Sequence, residues 1–402
     1  MNVTTLETSK ISISKLISGS FLIAGTMIGA GMLGIPMSTA ASGFIPACMT
    51  TFAVWFFMLV TGFLLLEVSL HMPKGSNFLS ISEHFLGKAG KYFIGAMFMF
   101  LYYCLIIAYI AGGAPLFGEL IGKGMHLSSF SYLIFSAIFG LVVYLGTKWV
   151  DRVNIVLTFI MFGLFFLVVI TGFNFVNPTN LAHHNFSKMF LSVPVLFGAF
   201  GYHNVIPTLC DYLERDRKVL SLSLVFGTLI SLSIYIIWQQ TVLGAVSIEA
   251  LQTAMDEGKT CVAALQEIAS SSSLYRYGKY FAAAALSTSL LGVSLSVVDF
   301  LHDGFTQKQI NVQRGLLCFL VFAPCAAFAI FNPTIFSKAL GLAGGVGEAI
   351  LNGIFPISLV WVGFHYMKLP SERMKYYYGK RYLTFLLLLG LLTVGIEIYD
   401  LL

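Results

Sequence analysis

Residues 25–36 read G-T-M-I-G-A-G-M-L-G-I-P and lie within an apolar run. Four glycines and a proline among these twelve positions oppose a continuous helix, since glycine costs about 1 kcal/mol and proline about 3 kcal/mol in a helix interior. Inside a membrane, interrupted backbone is tolerated only where it is buried in protein or lines a water-filled cavity. The stretch therefore predicts a broken helix beside a cavity. The alternative is a packing face made by the G-x-x-x-G pair Gly25 and Gly29.

Composition places the chain in a membrane. Of its 402 residues, 57% are hydrophobic and 10% are charged, whereas soluble domains have about 45–50% apolar and about 25% charged residues. So little charge cannot cover the surface of a soluble protein. This excludes a soluble enzyme, a secreted domain and a nucleic-acid-binding protein, and it makes the lipid bilayer the main partner.

Apolar runs long enough to cross a bilayer, about 20 residues each, occur eleven times. They lie near 16–41, 44–70, 92–118, 127–146, 153–174, 189–210, 219–244, 276–302, 312–331, 335–366 and 382–400. With a cytoplasmic N-terminus, seventeen of the 23 Lys and Arg residues fall on the inner side and six on the outer side. This bias is the one that membrane proteins show, and an odd number of spans then puts the C-terminus on the outer side.

The sixth span repeats the defect of the first. It reads P-V-L-F-G-A-F-G-Y-H-N-V-I-P at 194–207, and because it comes five spans later it enters the membrane from the opposite side. Two interrupted helices in corresponding positions indicate a transporter built from inverted repeats. The prediction is an all-α membrane protein with helices 1 and 6 broken at mid-membrane. Residues 1–402 form one domain, with repeats at about 16–174 and 189–366 and an extra helix at about 382–400.

Broken helices offer backbone groups to a ligand. Free N–H groups at a half-helix N-terminus suit a carboxylate, and free carbonyls suit an ammonium group; together they suit a zwitterionic α-amino acid. The predicted amide donors are Ala30, Gly31 and Met32. The predicted carbonyl acceptors are Met27, Phe197 and Phe200.

Aromatic rings are frequent around both interruptions. Tyr202 follows Phe197 and Phe200 in the sixth span, and the third span contributes Tyr103 and Tyr109 with Ile107 between them. Ring–ring contacts favour an aromatic substrate side chain. Rings that face lipid or fill the core are the alternative.

Polar side chains at membrane depth are functional candidates by default. His203 could read a substrate hydroxyl, carry a proton or fix the broken backbone. Thr288 and Ser289 could bind Na⁺ or hydrogen-bond to their own helix. Candidates for gating, with a structural ion pair or a solvated loop as the alternative, are Glu67, Asp211, Arg215 and Asp299. Glu348 and Glu397 lie in late spans without an assigned role.

Four segments resemble the bacterial aromatic amino acid permeases, with the closest match to tyrosine-specific members. They are residues 25–36, L-L-L-E-V-S-L-H-M-P at 64–73, F-G-Y-H-N-V-I-P at 200–207 and T-S-L-L-G-V-S-L-S-V-V-D-F-L at 288–301. The resemblance implies the LeuT-type fold and proton symport across the bacterial inner membrane. It also implies the carboxylate and ammonium roles given above, and it matches Thr288 and Ser289 to sodium-binding hydroxyls of sodium-driven relatives.

The predicted function is import of tyrosine with protons by alternating access. A tryptophan or broad aromatic carrier and a sodium-coupled symporter are the alternatives, with H⁺ favoured over Na⁺ as the coupling ion. Neither H-E-x-x-H nor G-x-S-x-G occurs, so no enzyme is expected. We likewise expect no catalytic residue, metal site, organic cofactor or obligate protein partner; the expected ligand is an aromatic L-amino acid.

Overall fold

The computed structural model describes residues 12–121, 129–268, 273–307, 309–369 and 379–402. Within those ranges the chain is helical and contains no β-strand. The helices up to the second interruption are α1 (Ile13–Met27), α2 (Ile35–Ala40), α3 (Phe44–His71), α4 (Phe78–Ile121), α5 (Ser129–Tyr144), α6 (Thr147–Gly172), α7 (Pro178–Ala182) and α8 (Val193–Ala199).

The remaining helices complete the chain. They are α9 (Ile206–Tyr212), α10 (Arg217–Ala245), α11 (Ile248–Asp256), α12 (Cys261–Ile268), α13 (Ser273–Gln307), α14 (Arg314–Phe331), α15 (Phe336–Leu342), a π-helix (Ala343–Ile354), α16 (Phe355–His365) and α17 (Lys380–Leu401). The π-helix joins α15 to α16 without a break, and such wide turns often occur at functional sites.

Local sequence explains several helix ends. The Asp216 side chain accepts hydrogen bonds from the N–H groups of Lys218 and Val219 and so caps α10, and Ser247 caps α11 in the same way. Gly87 has φ +70° and divides α4 into a short and a long part, a backbone conformation that glycine adopts without steric cost.

Nine helices of the described residues are long and apolar enough to cross a membrane, or ten if the bent pair Ile13–Met27 and Ala30–Ala40 counts as one span. Eleven spans were predicted. The remaining one, 127–146, corresponds to α5, which has sixteen residues and is shorter than the usual span of about 20. Residues 127 and 128 of that predicted span lie outside the described residues.

The two interrupted regions pack against each other, since residues Ala30–Leu33 contact α8. The π-helix packs against α4, α8 and α17, while α13 packs against α6 and α1 against α10.

Five of the charges used for the predicted orientation lie outside the described residues: Lys10, Lys123, Lys308, Arg373 and Lys375.

Candidate functional site

The first interruption follows α1. Ile28 is extended, Gly29 is extended as well, and Ala30–Leu33 form a 3₁₀ turn before α2 begins at Ile35. The Ala30 N–H donates to Ser289 Oγ over 2.9 Å, and the Met32 N–H donates to the Gly29 carbonyl over 3.2 Å. Two of the three predicted amide donors therefore already have acceptors within the protein.

The second interruption follows the same plan. After α8 the backbone leaves the helical conformation at Phe200 and Tyr202, and a 3₁₀ turn at His203–Val205 leads into α9. Both α2 and α9 start with an Ile-Pro pair, which suits the first turn of a helix because proline has no N–H to leave unpaired.

The two interruptions are in contact. A Cβ atom added to Gly31 would lie 3.3 Å from the Cα atom of Ala199. The Tyr235 hydroxyl lies 2.7 Å from the carbonyl oxygens of both Met27 and Ala199, the last residues of α1 and α8, and its single proton is shared between these two acceptors. The indole Nε1–H of Trp238, one turn further along α10, donates to the Met32 carbonyl over 2.9 Å. Helix α10 thus holds both broken segments in register.

A cavity of about 290 Å³ lies at this junction. Residues 25–31 form one wall, and Gly198, Ala199 and Gly201 form another. Tyr102 and Tyr109 of α4 and the polar side chains of Asn154, Asn204 and Glu348 also line it. Its size is close to the lower end of the range for small-molecule sites, about 300–1,000 Å³. The site combines backbone donors, backbone acceptors, two phenols and one carboxyl group.

Several predicted aromatic residues lie away from this cavity. Phe197 packs on Phe57 with ring centroids 5.4 Å apart, and Phe200 packs edge-on against Tyr235 at 5.0 Å. The Tyr103 hydroxyl donates to the Leu320 carbonyl on α14. Ile107 packs on the hydrophobic core.

Of the three α4 residues expected on this wall, Tyr109 lines the cavity, whereas Tyr103 and Ile107 do not; Tyr102 lines it instead of its neighbour Tyr103. Neighbouring residues of a helix point about 100° apart. An error of one residue, such as Tyr103 in place of Tyr102, therefore selects a different face of the helix.

His203 is buried beside α3 rather than on the cavity wall. Its Nε2 lies 2.9 Å from the Thr61 hydroxyl, and its ring contacts that of Tyr202 at 4.7 Å. These contacts connect the second interruption to α3.

The hydroxyl pair of α13 meets the first interruption. Thr288 and Ser289 both line the cavity. Ser289 accepts the Ala30 N–H, and the Thr288 hydroxyl donates to the Ala285 carbonyl over 3.0 Å, within its own helix.

Glu348 is the cavity residue to which the sequence assigned no role. It lies in the π-helix with 7% of its surface exposed, and its Oε2 accepts a hydrogen bond from the Asn352 side-chain amide. A carboxyl group inside an apolar span marks it as a candidate, but only the fold shows that it lies beside Gly201.

The predicted gating residues gather at one end of the bundle, near the starts of α1 and α10 and the end of α13. We call this end, which carries Lys15, Arg217 and Arg314, the basic end. Arg217 binds Glu67 with both guanidinium nitrogens at 2.8 and 2.9 Å. His71, one turn further along α3, contacts the Glu67 backbone carbonyl over 2.8 Å.

Other ion pairs follow at the basic end. Arg215 contacts Asp211 at 3.2 Å, and Asp211 also accepts the Gly75 N–H. Arg314 contacts Asp299 at 3.2 Å. Lys15 lies 2.8 Å from Glu214, and its hydrogen bond and positive charge lower the pKa of that carboxyl group.

Two further cavities flank the central one. A cavity of about 260 Å³ shares Asn204 and Ser296 with it and continues to Asp299 and Asp303 at the basic end. A cavity of about 560 Å³ lies at the far end of α4 and α13, where Glu119 and Tyr275 line it; the predicted binding residues are not part of its wall.

Comparison with known proteins identifies the relatives of this chain. Residues 12–397 match the model of the tryptophan/tyrosine permease family. Tyrosine-specific transport system 1 of Haemophilus influenzae is 32% identical over 391 residues, covering 95% of this chain and 96% of that protein. A tryptophan-specific transport protein of the same organism is 31% identical over 410 residues and covers 95% of both chains.

A solved structure supports the fold. The crystal structure of MhsT in complex with L-phenylalanine superposes with a TM-score of 0.62 at 15% sequence identity, covering 97% of this chain and 98% of that one. MhsT has the LeuT-type fold, so the fold implied by the sequence motifs is confirmed. The relatives are transport proteins and not enzymes. The chain is therefore a multi-pass membrane protein that belongs to the tryptophan/tyrosine permease family of aromatic amino acid transporters.

Proposed function

We propose that this protein imports tyrosine together with protons across the bacterial inner membrane. The observation that carries the proposal is the contact between two interrupted helices on the wall of a cavity of about 290 Å³. Relatives named for tyrosine and for tryptophan transport support an aromatic substrate, and the fold is shared with a protein crystallised with L-phenylalanine.

The substrate's charged groups meet backbone in this proposal. Among the predicted donors, Ala30 and Met32 already have partners, so the Gly31 N–H makes the principal bond to the substrate carboxylate. Among the predicted acceptors, Met27 lines the cavity and Phe197 and Phe200 do not, so the Met27 carbonyl accepts from the ammonium group. Hydrogen bonds to charged groups contribute about 1.5–3 kcal/mol each, which offsets loss of water without a buried charged side chain. The aromatic ring then extends toward Tyr102 and Tyr109.

The proposed topology has eleven spans with the basic end in the cytoplasm. Helix α5 completes the count of eleven spans, because it packs against the spanning helices α4 and α14. Lys and Arg prefer the cytoplasmic side, so the N-terminus is cytoplasmic and the C-terminus periplasmic. The two interruptions then lie at mid-membrane in inverted repeats of five helices, and α17 is the extra helix.

In alternating access, the helices that carry the interruptions move as one unit. We propose that Glu67–Arg217 and Lys15–Glu214 hold this unit together, because they join α3 to α10 and α1 to the loop before α10. Asp299–Arg314 joins α13 to α14 in the other unit. The gating candidates thus stiffen each unit at its cytoplasmic end.

Loss of the Glu67 carboxylate is expected to destabilise the moving unit. Glu67→Gln leaves Arg217 without its bidentate partner, at a cost of about 1–2 kcal/mol; this is less than the about 3–5 kcal/mol of a fully buried pair, because the Arg217 side chain is 38% exposed. Thermal unfolding in detergent measures the loss. The matched control Asp299→Asn breaks a more exposed pair with one contact, and we expect about 0–1 kcal/mol. Equal losses of stability in both variants would contradict the proposal that the Glu67–Arg217 pair holds the moving unit together.

Uptake into proteoliposomes tests the function. We expect labelled tyrosine to accumulate under an inward proton gradient, with loss of accumulation when an uncoupler is added and no change when sodium is omitted. Unlabelled tryptophan and phenylalanine as competitors distinguish a tyrosine carrier from a broad aromatic carrier. Absence of tyrosine uptake under any gradient would refute the proposal.

Sodium coupling is the second candidate, and the position of two hydroxyls favours it. Thr288 and Ser289 face the interrupted backbone of the first helix, the arrangement expected of a sodium site. If uptake follows a sodium gradient and is lost in Thr288→Val, sodium coupling replaces proton coupling as the proposed mechanism.

We propose that His203 holds the second interruption on α3. Its hydrogen bond to Thr61 and its burial outside the cavity support a positioning role. His203→Ala is then expected to lower uptake of tyrosine and of phenylalanine by the same factor, and Thr61→Val to reproduce part of the loss. Competition assays with both amino acids measure this. A selective loss for tyrosine would mean that His203 reads the phenolic hydroxyl.

A further inference from the structure

The carboxyl group of Glu348 is buried and has no cationic partner in the part of the chain that the structure describes. Only 7% of Glu348 is exposed, and it lies on the wall of the central cavity. Among the described residues, no nitrogen of Lys, Arg or His lies within 4.0 Å of its oxygens. Its Oε2 accepts a hydrogen bond from the neutral side-chain amide of Asn352. An ionised carboxylate in such a place is costly unless water or a cation reaches it.

This carboxyl group touches the second interruption. A Cβ atom on Gly201 would lie 2.5 Å from Glu348 Oε1 and 2.9 Å from Oε2. Glycine at 201 therefore leaves the space that the carboxyl group fills. The neighbouring residues have non-helical backbone between α8 and α9, so a change in the charge of Glu348 acts directly on the segment that joins the two half-helices.

The surroundings hold few other titratable groups. From α4, Tyr102 and Tyr109 share the cavity wall with Glu348. From the second interruption, the polar neighbour is Asn204, which donates to the Tyr102 hydroxyl over 3.1 Å, and His203 is bonded to Thr61.

More distant charges belong to the other helices that pack on the π-helix. Lys338 of α15 and His365 of α16 are about 15 and 25 Å away along the helix axis, and Glu67 of α3 is paired with Arg217.

A second buried carboxyl group packs on the same π-helix. Glu397 of α17 is 3% exposed, and a Cβ atom on Gly345 of the π-helix would lie 2.9 Å from its Oε2. It is not part of the cavity wall. Glu397 therefore offers a natural comparison: a carboxyl group of similar burial that packs on the same helix without access to the substrate site.

We infer that Glu348 carries the proton that is transported with each substrate molecule. The inference rests on the proposed proton symport and assigns its proton-binding residue. One proton from the outer side binds a carboxylate oxygen of Glu348, and the O–H bond breaks again when the site opens to the cytoplasm. The proton then leaves through the cavity of about 260 Å³, which shares Asn204 and Ser296 with the central cavity and continues to the basic end. No other bond changes.

Protonation accounts for coupling in physical terms. The ionised carboxylate needs water and so keeps the cavity hydrated. The neutral acid does not, so the cavity can close around the substrate and the loaded protein can reorient. A side chain that is permanently neutral should therefore allow the loaded protein to exchange substrate but not to use a proton gradient.

The experiment compares two modes of transport in the full-length protein. Proton-driven accumulation of labelled tyrosine and its exchange against internal tyrosine without a gradient are measured in the same proteoliposomes. In Glu348→Gln we expect accumulation to fall by about 5- to 150-fold, the usual size of coupling between two ligands, while exchange persists and loses its dependence on pH. In Glu397→Gln we expect both to persist.

Each alternative outcome has a definite meaning. Wild-type protein that exchanges tyrosine but ignores a proton gradient would refute the proposed proton symport itself. Wild-type-like accumulation in Glu348→Gln would refute only the assignment of Glu348. Loss of both modes in a folded Glu348→Gln protein would assign the carboxyl group to substrate binding and also refute it. If Glu348→Gln does not fold, Glu348→Asp takes its place, and an unchanged pH midpoint of accumulation would overturn the inference.

Discussion

Gly344→Ala is expected to be among the most damaging single substitutions in this protein. Gly344 is the point where the π-helix crosses α8, and a Cβ atom there would overlap the Pro194 carbonyl and lie 2.7 Å from the Gly198 amide nitrogen. Both opposing groups are backbone, so no side chain can rotate away. We expect a loss of about 3 kcal/mol, the upper end of the usual range for overpacking, together with loss of transport, because α8 carries one wall of the cavity.

The matched control is Gly163→Ala in the middle of α6. A Cβ atom on Gly163 would meet nothing within 4 Å, and alanine is favoured over glycine in a helix by about 1 kcal/mol. Thermal unfolding of the two purified variants and tyrosine uptake measure the contrast. Wild-type stability in Gly344→Ala would show that α8 and the π-helix can separate without penalty, and the close crossing would then have no structural role.

The sequence predicts the general architecture better than the composition of the site. Composition and apolar run lengths indicate a helical membrane protein because the bilayer imposes both. Glycine and proline disfavour helix wherever they occur, and α1 and α8 end close to the glycines of 25–36 and 194–207. These signals are local, so they are visible in a single sequence.

The hydrogen-bond partners of the broken segments cannot be predicted from the local sequence. Tyr235 and Trp238 lie in an ordinary apolar stretch of α10, and nothing in their local sequence indicates that they bond to Met27, Ala199 and Met32. Such contacts join segments far apart in the chain and depend on how the helices cross. The sequence also does not show which side of α4 faces the cavity. Tyr102 and Tyr103 are adjacent in sequence but face different directions.

The Tyr235 hydroxyl should be essential for high-affinity binding. In Tyr235→Phe the ring stays, with its edge-on contact to Phe200, but the carbonyls of Met27 and Ala199 lose the donor that lies 2.7 Å from each. Leaving buried acceptors unsatisfied costs about 1–3 kcal/mol. Because these carbonyls border the proposed ammonium site, we expect the apparent affinity for tyrosine to fall by about 10- to 100-fold, at about 1.4 kcal/mol for each factor of ten.

Tyr202→Phe separates this bridging role from the loss of any buried hydroxyl. Tyr202 is as completely buried as Tyr235, but its hydroxyl makes one longer bond, 3.3 Å, to the Met58 carbonyl on α3. It does not join the two interruptions, so we expect its affinity for tyrosine to stay within about threefold of wild type, well under one factor of ten. Binding of labelled tyrosine to the purified variants measures both effects. Equal losses would mean that burial of the hydroxyl, rather than its position between two broken helices, determines affinity.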